Sequence, residues 1–422
     1  MQVSRFGRKI AGASGIGQLM EDLGVALAQG RDTLMLGGGN PARIPEVERC
    51  FRAAMQKFMA DGGRFERVVG SYSSPGGDAE FIKAVATLLR SELGWDVRPE
   101  NIALTNGSQT AFFVLFNIFA GEFDDGTVRK ILFPLAPEYI GYCDVGLADD
   151  LFVANKPLIE SGSSAGDEHL FKYHIDFDRL QVTDAIGAIC VSRPTNPTGN
   201  VLSDAEISRL SELARRHRVP LIVDNAYGMP YPNIVFVEAR PTWDTNTIFC
   251  MSLSKLGLPS ARTGIVVASE EVASMVAKAN AVMSLAPGGL GAAIVTDLIR
   301  SGQITDISRN VIRPFYERKV QAALQCVYRE LDGTDFRVHK PEGAFFLWLW
   351  FPGLPITNEE LYQRLKKRGV LVVPGHYFFP GLKEDWPHKN ECIRVNYSQD
   401  DQTFAAGMKI IGQEVKRAYV SA

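Results

Sequence analysis

Leu221-Ile222-Val223-Asp224-Asn225-Ala226-Tyr227 is a short apolar run that ends in a carboxylate, with a tyrosine three residues further on. Apolar residues in succession, without polar alternation, fit a strand buried on both faces, as in a parallel sheet covered by helices. A carboxylate at the tip of such a strand needs a partner, because burying an unpaired charge costs on the order of several kcal/mol. From the residues alone the partner is open: a structural arginine, a ligand cation or a metal.

The same arrangement recurs on either side. Apolar runs at 101–104, 130–133, 188–191, 248–251 and 264–268 each read as a strand, and polar residues gather where they end. Between them, 108–119 carries Phe112, Leu115, Phe116 and Phe119 at helical spacing. The segment 203–217 opens on Ser203 as N-cap and aligns Ile207, Leu210, Leu213 and Ala214. This alternation predicts an α/β fold, a large domain with a mostly parallel sheet covered by helices. The last third differs: an aromatic run at 345–351, a helix at 358–368, strands at 370–373 and 393–397, and a closing helix with Phe404, Met408, Ile411 and Val415 on one face. It predicts a smaller α+β domain, which the extended segment 33–36 joins. The expected division is a large domain at 50–310 and a small one built from 1–49 and 311–422.

In a parallel sheet the ends of the strands converge on one edge, where ligands bind. Ile102-Ala103-Leu104-Thr105-Asn106-Gly107-Ser108-Gln109 reads as strand, glycine turn and helix start, a place suited to a phosphate or to an ordinary turn capped by Ser108. Arg193-Pro194-Thr195-Asn196-Pro197-Thr198-Gly199 holds Asn196 in a stiff loop. Cys250-Met251-Ser252-Leu253-Ser254-Lys255 ends a strand on a lysine, with Arg262 seven residues later. Lysines are ordinarily solvated, but Met251, Leu253, Leu256 and Leu258 make these flanks apolar, and a desolvated lysine becomes a nucleophilic amine.

The 422 residues are 46% hydrophobic, enough for a large core, and carry a net charge of −3. That balance argues against nucleic acid and against a membrane surface as partner. The six cysteines are scattered without a CxxC pair, and residues 1–20 lack the apolar core of a signal peptide, so a cytoplasmic protein is expected. The only low-complexity tract is the loop 161–166. The six histidines show no HxH or HxxxH spacing, and no metal site is expected.

Taken in order, the Gly107-Ser108-Gln109 turn, the Asn196-Pro197-Thr198-Gly199 loop, Asp224 with Tyr227, Ser252-Leu253-Ser254-Lys255 with Arg262, and Arg394 resemble the fold type I enzymes dependent on pyridoxal 5′-phosphate, the aspartate aminotransferase superfamily. The resemblance spans roughly residues 37 to 397. The stretches 36–41, 133–142, 340–351 and 374–381 are similar to those of the bacterial valine–pyruvate aminotransferases. That narrower resemblance implies exchange of amino groups between valine or alanine and their keto acids by ping-pong kinetics.

The resemblance implies a role for each residue. Lys255 condenses with the cofactor's aldehyde and serves as general base and acid. Asp224 keeps the pyridine nitrogen protonated, and Asn196 and Tyr227 donate to the phenolic oxygen. Tyr139 stacks on the ring. Gly107, Ser108, Gln109, Ser252, Ser254 and Arg262 hold the phosphate. Arg394 clamps the substrate carboxylate, with Gly38 near it. Tyr72 resembles the tyrosine that reaches the phosphate of a neighbouring subunit, which implies a homodimer with shared sites. Two other readings keep the cofactor: a lyase of the same fold, and a cofactor-sensing regulator, for which the residues before Gly38 are too few to hold a DNA-binding domain. A nicotinamide oxidoreductase fails for want of a GxGxxG motif after an early strand.

Overall fold

The computed structural model describes residues 2–12, 14, 15, 17, 20–22, 24, 33–162 and 168–420. Residues 163–166 of the loop predicted at 161–166, and much of the segment before Thr33, lie outside the described residues. The larger of its sheets has eight strands. Across it run Ile102–Thr105, Gly264–Val267, Thr247–Ser252, Leu221–Asp224, Ile186–Ser192, Val128–Phe133 and Gly121–Glu122, and Phe152–Ala154 also pairs with Val128–Phe133. The central strands are buried along their whole length, as runs of Ile and Val without alternation require.

Most neighbours are parallel, as expected, and one strand of the site is reversed. Gly264–Val267 runs antiparallel to both Thr247–Ser252 and Ile102–Thr105. The connection from Ser252 to Gly264 contains no α-helix, only the short turn Pro259–Ala261, and a parallel crossover needs a longer excursion. The reversal is useful to the site. Ile102–Thr105, Thr247–Ser252, Leu221–Asp224, Ile186–Ser192 and Val128–Phe133 all point one way, so their carboxyl ends share an edge. The reversed strand begins at that same edge and brings Arg262 and Thr263 to it.

The helices form where their caps predict. Asp204–Arg216 starts on Ser203, whose hydroxyl accepts from the Glu206 N–H while the Glu206 carboxylate accepts from the Ser203 N–H. Ser108–Phe119 matches its predicted bounds, but its cap is Gly107 rather than Ser108, with φ +87° and no side-chain cap. Phe112, Leu115 and Phe116 are buried against the sheet while Phe119 is only half-buried.

A second sheet orders Val373–Pro374, Cys392–Asn396, Phe346–Trp350, Arg337–His339, Leu170–His174 and Leu158–Ser161. Its last two strands form a hairpin drawn from the middle of the chain. The expected strand at 370–373 is two pieces: Val370–Leu371 pairs with Leu34–Met35, and Val373–Pro374 pairs with Cys392–Asn396. The chain changes sheets at Val372, against whose backbone Gly37 packs so closely that a Cβ there would stand 3.1 Å away. The closing helix Asp401–Val420 buries Phe404, Met408, Ile411 and Val415. Among the described residues no helix is long and apolar enough to cross a membrane.

Candidate active site

At the shared edge the strand Leu221–Asp224 delivers Asp224. Its carboxylate accepts from the Tyr142 hydroxyl at 2.6 Å and from the Ala226 N–H at 3.0 Å. Among the described residues no arginine, lysine or histidine forms an ion pair with it. Burial raises its pKa, and the donors and the charge of Lys255 oppose that rise. Of the partners left open by the sequence, the structural arginine is therefore absent among the described residues.

Lys255 lies just past the end of the neighbouring strand and is half-buried. Its Nζ donates to the Gly39 carbonyl at 2.7 Å and sits 5.6 Å from the centroids of both the Tyr227 and Phe345 rings. Burial and then the charge of Arg394 push its pKa down to about 8, so a neutral amine is accessible near physiological pH. Tyr227 is buried, and its hydroxyl has no hydrogen-bond partner among the described residues. An orphaned buried hydroxyl is costly unless a ligand oxygen meets it.

Arg394 is 2% exposed and, among the described residues, pairs with no carboxylate. Its Nη1 donates to Asn196 Oδ1 at 2.7 Å, its Nη2 to the Gly37 carbonyl at 2.6 Å, and its Nε to none of the described residues. The guanidinium lies 4.2 Å from the centre of the Phe346 ring, and burial lowers its pKa to about 10. Asn196 spends its carbonyl on Arg394, which leaves its amide N–H groups for another acceptor. Gly38 belongs to a loop whose carbonyls are pinned in succession. Gly37 accepts from Arg394, Gly38 from Asn396 Nδ2 at 2.7 Å, Gly39 from Lys255, and Asn40 from the Ser398 hydroxyl at 2.7 Å. The three glycines are thus tied down rather than a free hinge.

The turn after Ile102–Thr105 leads into a helix N-terminus able to take an anion. No side chain caps Ser108–Phe119 among the described residues, so the positive end of its dipole is open, while the Thr110 N–H is bonded back to the Gly107 carbonyl. The exposed Arg262 leans over this turn: a Cβ on Gly107 would stand 2.1 Å from its Nη2. Arg262 also reaches the Ser254 hydroxyl at 3.5 Å, and the Ser252 hydroxyl accepts from the Ser254 N–H at 3.0 Å. Ser108, Ser252, Ser254 and Arg262 therefore surround one cradle. Gln109 adds its backbone only, since its side chain donates to the Gly141 carbonyl at 2.7 Å. Tyr139 stands edge-on to Tyr142, ring centroids 5.2 Å apart. Tyr72 is 83% exposed in the single chain.

Four participants were not singled out by the sequence. Tyr142 is the direct partner of Asp224. Glu138, 1% exposed, accepts from the Ser192 N–H at 2.8 Å and contacts the Ser192 hydroxyl at 2.5 Å. Asn396 and Ser398 clamp the glycine loop. A glutamate between Pro137 and Tyr139 in an apolar stretch was the one available signal.

An aldehyde-reactive amine, a buried carboxylate awaiting a cation, an orphaned phenol and an anion cradle fit pyridoxal 5′-phosphate without forcing any residue. The comparisons agree. The aminotransferase class I and II family model matches residues 36–411. The valine–pyruvate aminotransferase of Escherichia coli K12 is 51% identical over 419 residues, covering 99% of each chain. A solved valine–pyruvate aminotransferase from Salmonella typhimurium LT2 is 49% identical, with a TM-score of 0.88 over 96% of this chain and 100% of that one. A structure from Psychrobacter arcticum 273-4 superposes with a TM-score of 0.97 at 46% identity over the whole of both chains. The chain belongs to the class I and II aminotransferases, enzymes that work with pyridoxal 5′-phosphate.

Proposed function

We propose that the enzyme exchanges the amino group of L-valine with pyruvate, yielding 2-oxoisovalerate and L-alanine. The observation that carries this reading is Arg394. It is the one buried arginine among the described residues without an acidic partner, since Arg193 is bound to Asp204. One free guanidinium suits a substrate with a single carboxylate, and the aromatic rings around it suit an aliphatic side chain. The resemblance to valine–pyruvate aminotransferases over nearly the whole chain supports the same choice.

When bound, pyridoxal 5′-phosphate supplies an aldehyde that takes up and gives back the amino group and a ring that draws electrons from the substrate Cα. Arg394 holds the substrate carboxylate, with Gly38 beside it. Lys255 Nζ, as a free amine, would take the proton from the substrate Cα and return it. Asp224 keeps a proton on the ring nitrogen. The Asn196 amide and the Tyr227 hydroxyl donate to the phenolic oxygen, and Tyr139 covers the ring face. Gly107, Ser108, Gln109, Ser252, Ser254 and Arg262 hold the phosphate.

We infer further that the enzyme works as a homodimer in the cytoplasm, with Tyr72 completing the partner's phosphate site. Tyr72 lines an open groove of about 680 Å³ with Arg67, Ser73, Pro287 and Gly288. Val69, Val282, Met283, Leu285 and Leu290 are likewise exposed. Apolar exposure of this kind marks a docking surface. The groove adjoins the phosphate turn, because the Gly288 N–H donates to Asn106 Oδ1 at 2.9 Å. The division into a large unit at 50–310 and a small one from 1–49 and 311–422 belongs to the same proposal, with the hairpin Leu158–His174 reaching across to the second sheet.

The test is a half-reaction. L-valine added anaerobically to the loaded enzyme, without keto acid, should bleach the cofactor's absorbance band, and pyruvate should restore it. A band that never responds to valine or alanine would remove the substrate assignment. Release of pyruvate and ammonia from one amino acid would favour the lyase.

A further inference from the structure

Asp224 is not the only carboxyl buried at this edge. Glu138 is fully enclosed, and among the described residues no cation pairs with it. The two carboxyls are joined through hydroxyls. Glu138 Oε2 lies 2.5 Å from Ser192 Oγ, Ser192 Oγ lies 3.4 Å from the Tyr142 oxygen, and the Tyr142 hydroxyl donates to Asp224 Oδ2 at 2.6 Å. Ser192 and Asp224 face each other across adjacent parallel strands, so the backbone fixes two of the four members of the chain.

Hydrogen counting and charge point to the same protonation state. Three oxygen–oxygen gaps separate Glu138 from Asp224, and the two hydroxyls between them carry two protons. If Glu138 is ionised, each hydroxyl serves one carboxylate, the 3.4 Å gap between Ser192 and Tyr142 holds no hydrogen, and the buried cluster contains two negative charges that no cation pairs with among the described residues. If Glu138 is neutral, it donates to Ser192, Ser192 to Tyr142, and Tyr142 to Asp224. Every gap is then filled, and every donor points the same way.

We propose that Glu138 is a neutral positioning residue, whose carboxyl proton orders the Ser192 and Tyr142 hydroxyls into a donor chain ending on Asp224 and leaves Asp224 the single anion of the pair. This rests on the reading that Asp224 holds the cofactor's ring nitrogen. Burial, with the nearby charge of Asp224 as a further contribution, pushes the Glu138 carboxyl up to about 8, in keeping with the geometry. The Glu138 Oε1 acceptor for the Ser192 N–H survives in a glutamine, whose amide can also donate to Ser192 Oγ. Glu138→Gln therefore mimics the neutral acid.

The first experiment uses the full-length cofactor-free protein. An infrared difference spectrum between wild type and E138Q near neutral pH should show loss of the carbonyl stretch of a neutral carboxylic acid. Loss of ionised carboxylate bands instead would overturn the proposal. The second uses the holoenzyme with ¹⁵N in the cofactor ring. E138Q should keep the ring-nitrogen shift of wild type and a kcat within about threefold. S192A, which cuts the chain, should move that shift and lower kcat by about tenfold with little change in KM, as loss of an outer partner typically does. An E138Q enzyme as impaired as S192A, or an S192A enzyme with an unmoved shift and kcat, would also overturn it. Full turnover in Asp224→Asn would instead sink the assignment of Asp224, and the infrared result would still stand on its own.

Discussion

Lys255 is held by the Gly39 carbonyl rather than by a carboxylate, so its ammonium is stabilised weakly while burial and the charges of Arg394 and Arg262 work against it. Only the neutral amine attacks an aldehyde. The rate of covalent cofactor capture by the cofactor-free protein should therefore rise with pH, reach half its maximum near 8 and level off above, as stopped-flow absorbance would show. A midpoint near the ordinary 10.5 of a solvated lysine would mean that the enclosure does not act on the amine. Arg394 sets a second expectation. Its Nη1 and Nη2 already serve Asn196 and Gly37, and the planar fork is what lets it meet a carboxylate as well. Arg394→Lys keeps the charge and loses the fork, so kcat/KM for valine should fall by roughly 10–100-fold, the worth of a charge-assisted hydrogen bond of about 1.5–3 kcal/mol. Most of the loss should appear in KM, because the carboxylate is held alike before and during the proton transfer.

At the scale of elements, function depends on turns whose backbone only glycine allows. Gly107 has φ +87°, and any Cβ there would run into Arg262. Gly107→Ala should push the guanidinium off the cradle and weaken cofactor binding by on the order of tenfold or more, measured by equilibrium titration of absorbance, while the sheet stays folded by circular dichroism. Unchanged affinity would place the phosphate elsewhere. Elements of this kind were legible in the sequence where local signals suffice. The buried strands announce themselves as unbroken Ile and Val runs, and Lys255, Asp224 and Asn196 were singled out because each lies at or just past the end of such a strand, whereas Arg394 was singled out only through the family resemblance. The hairpin Leu158–Ser161 with Leu170–His174 was missed because its outer strand is largely exposed and reads as polar loop. Glu138, Tyr142 and Ser192 escaped for another reason. Their importance comes from meeting in space from a loop, a short turn and a strand far apart in sequence, and no residue near them records that meeting.

For the whole molecule, the exposed Tyr72 and the groove around it make a prediction that neither a monomer nor a dimer with independent sites would meet. A two-fold interface is isologous, so each chain both gives a Tyr72 and receives one. In a chain carrying Tyr72→Ala, the lysine at its own site is intact but the partner's phosphate site is impaired. In a chain carrying Lys255→Ala, the opposite holds. Each homodimer should therefore be weak or inactive in valine–pyruvate exchange. When the two variants are unfolded together and refolded, or left to exchange subunits, about half the dimers are mixed, and each mixed dimer holds one complete site and one with both defects. Recovery of about a quarter of wild-type activity is the expected ceiling. Chains tagged differently, so that mixed dimers can be purified, would give one working site per dimer. Mixed dimers no more active than the Tyr72→Ala parent would show that Tyr72 does not cross between subunits, and the exposed groove would then need another occupant.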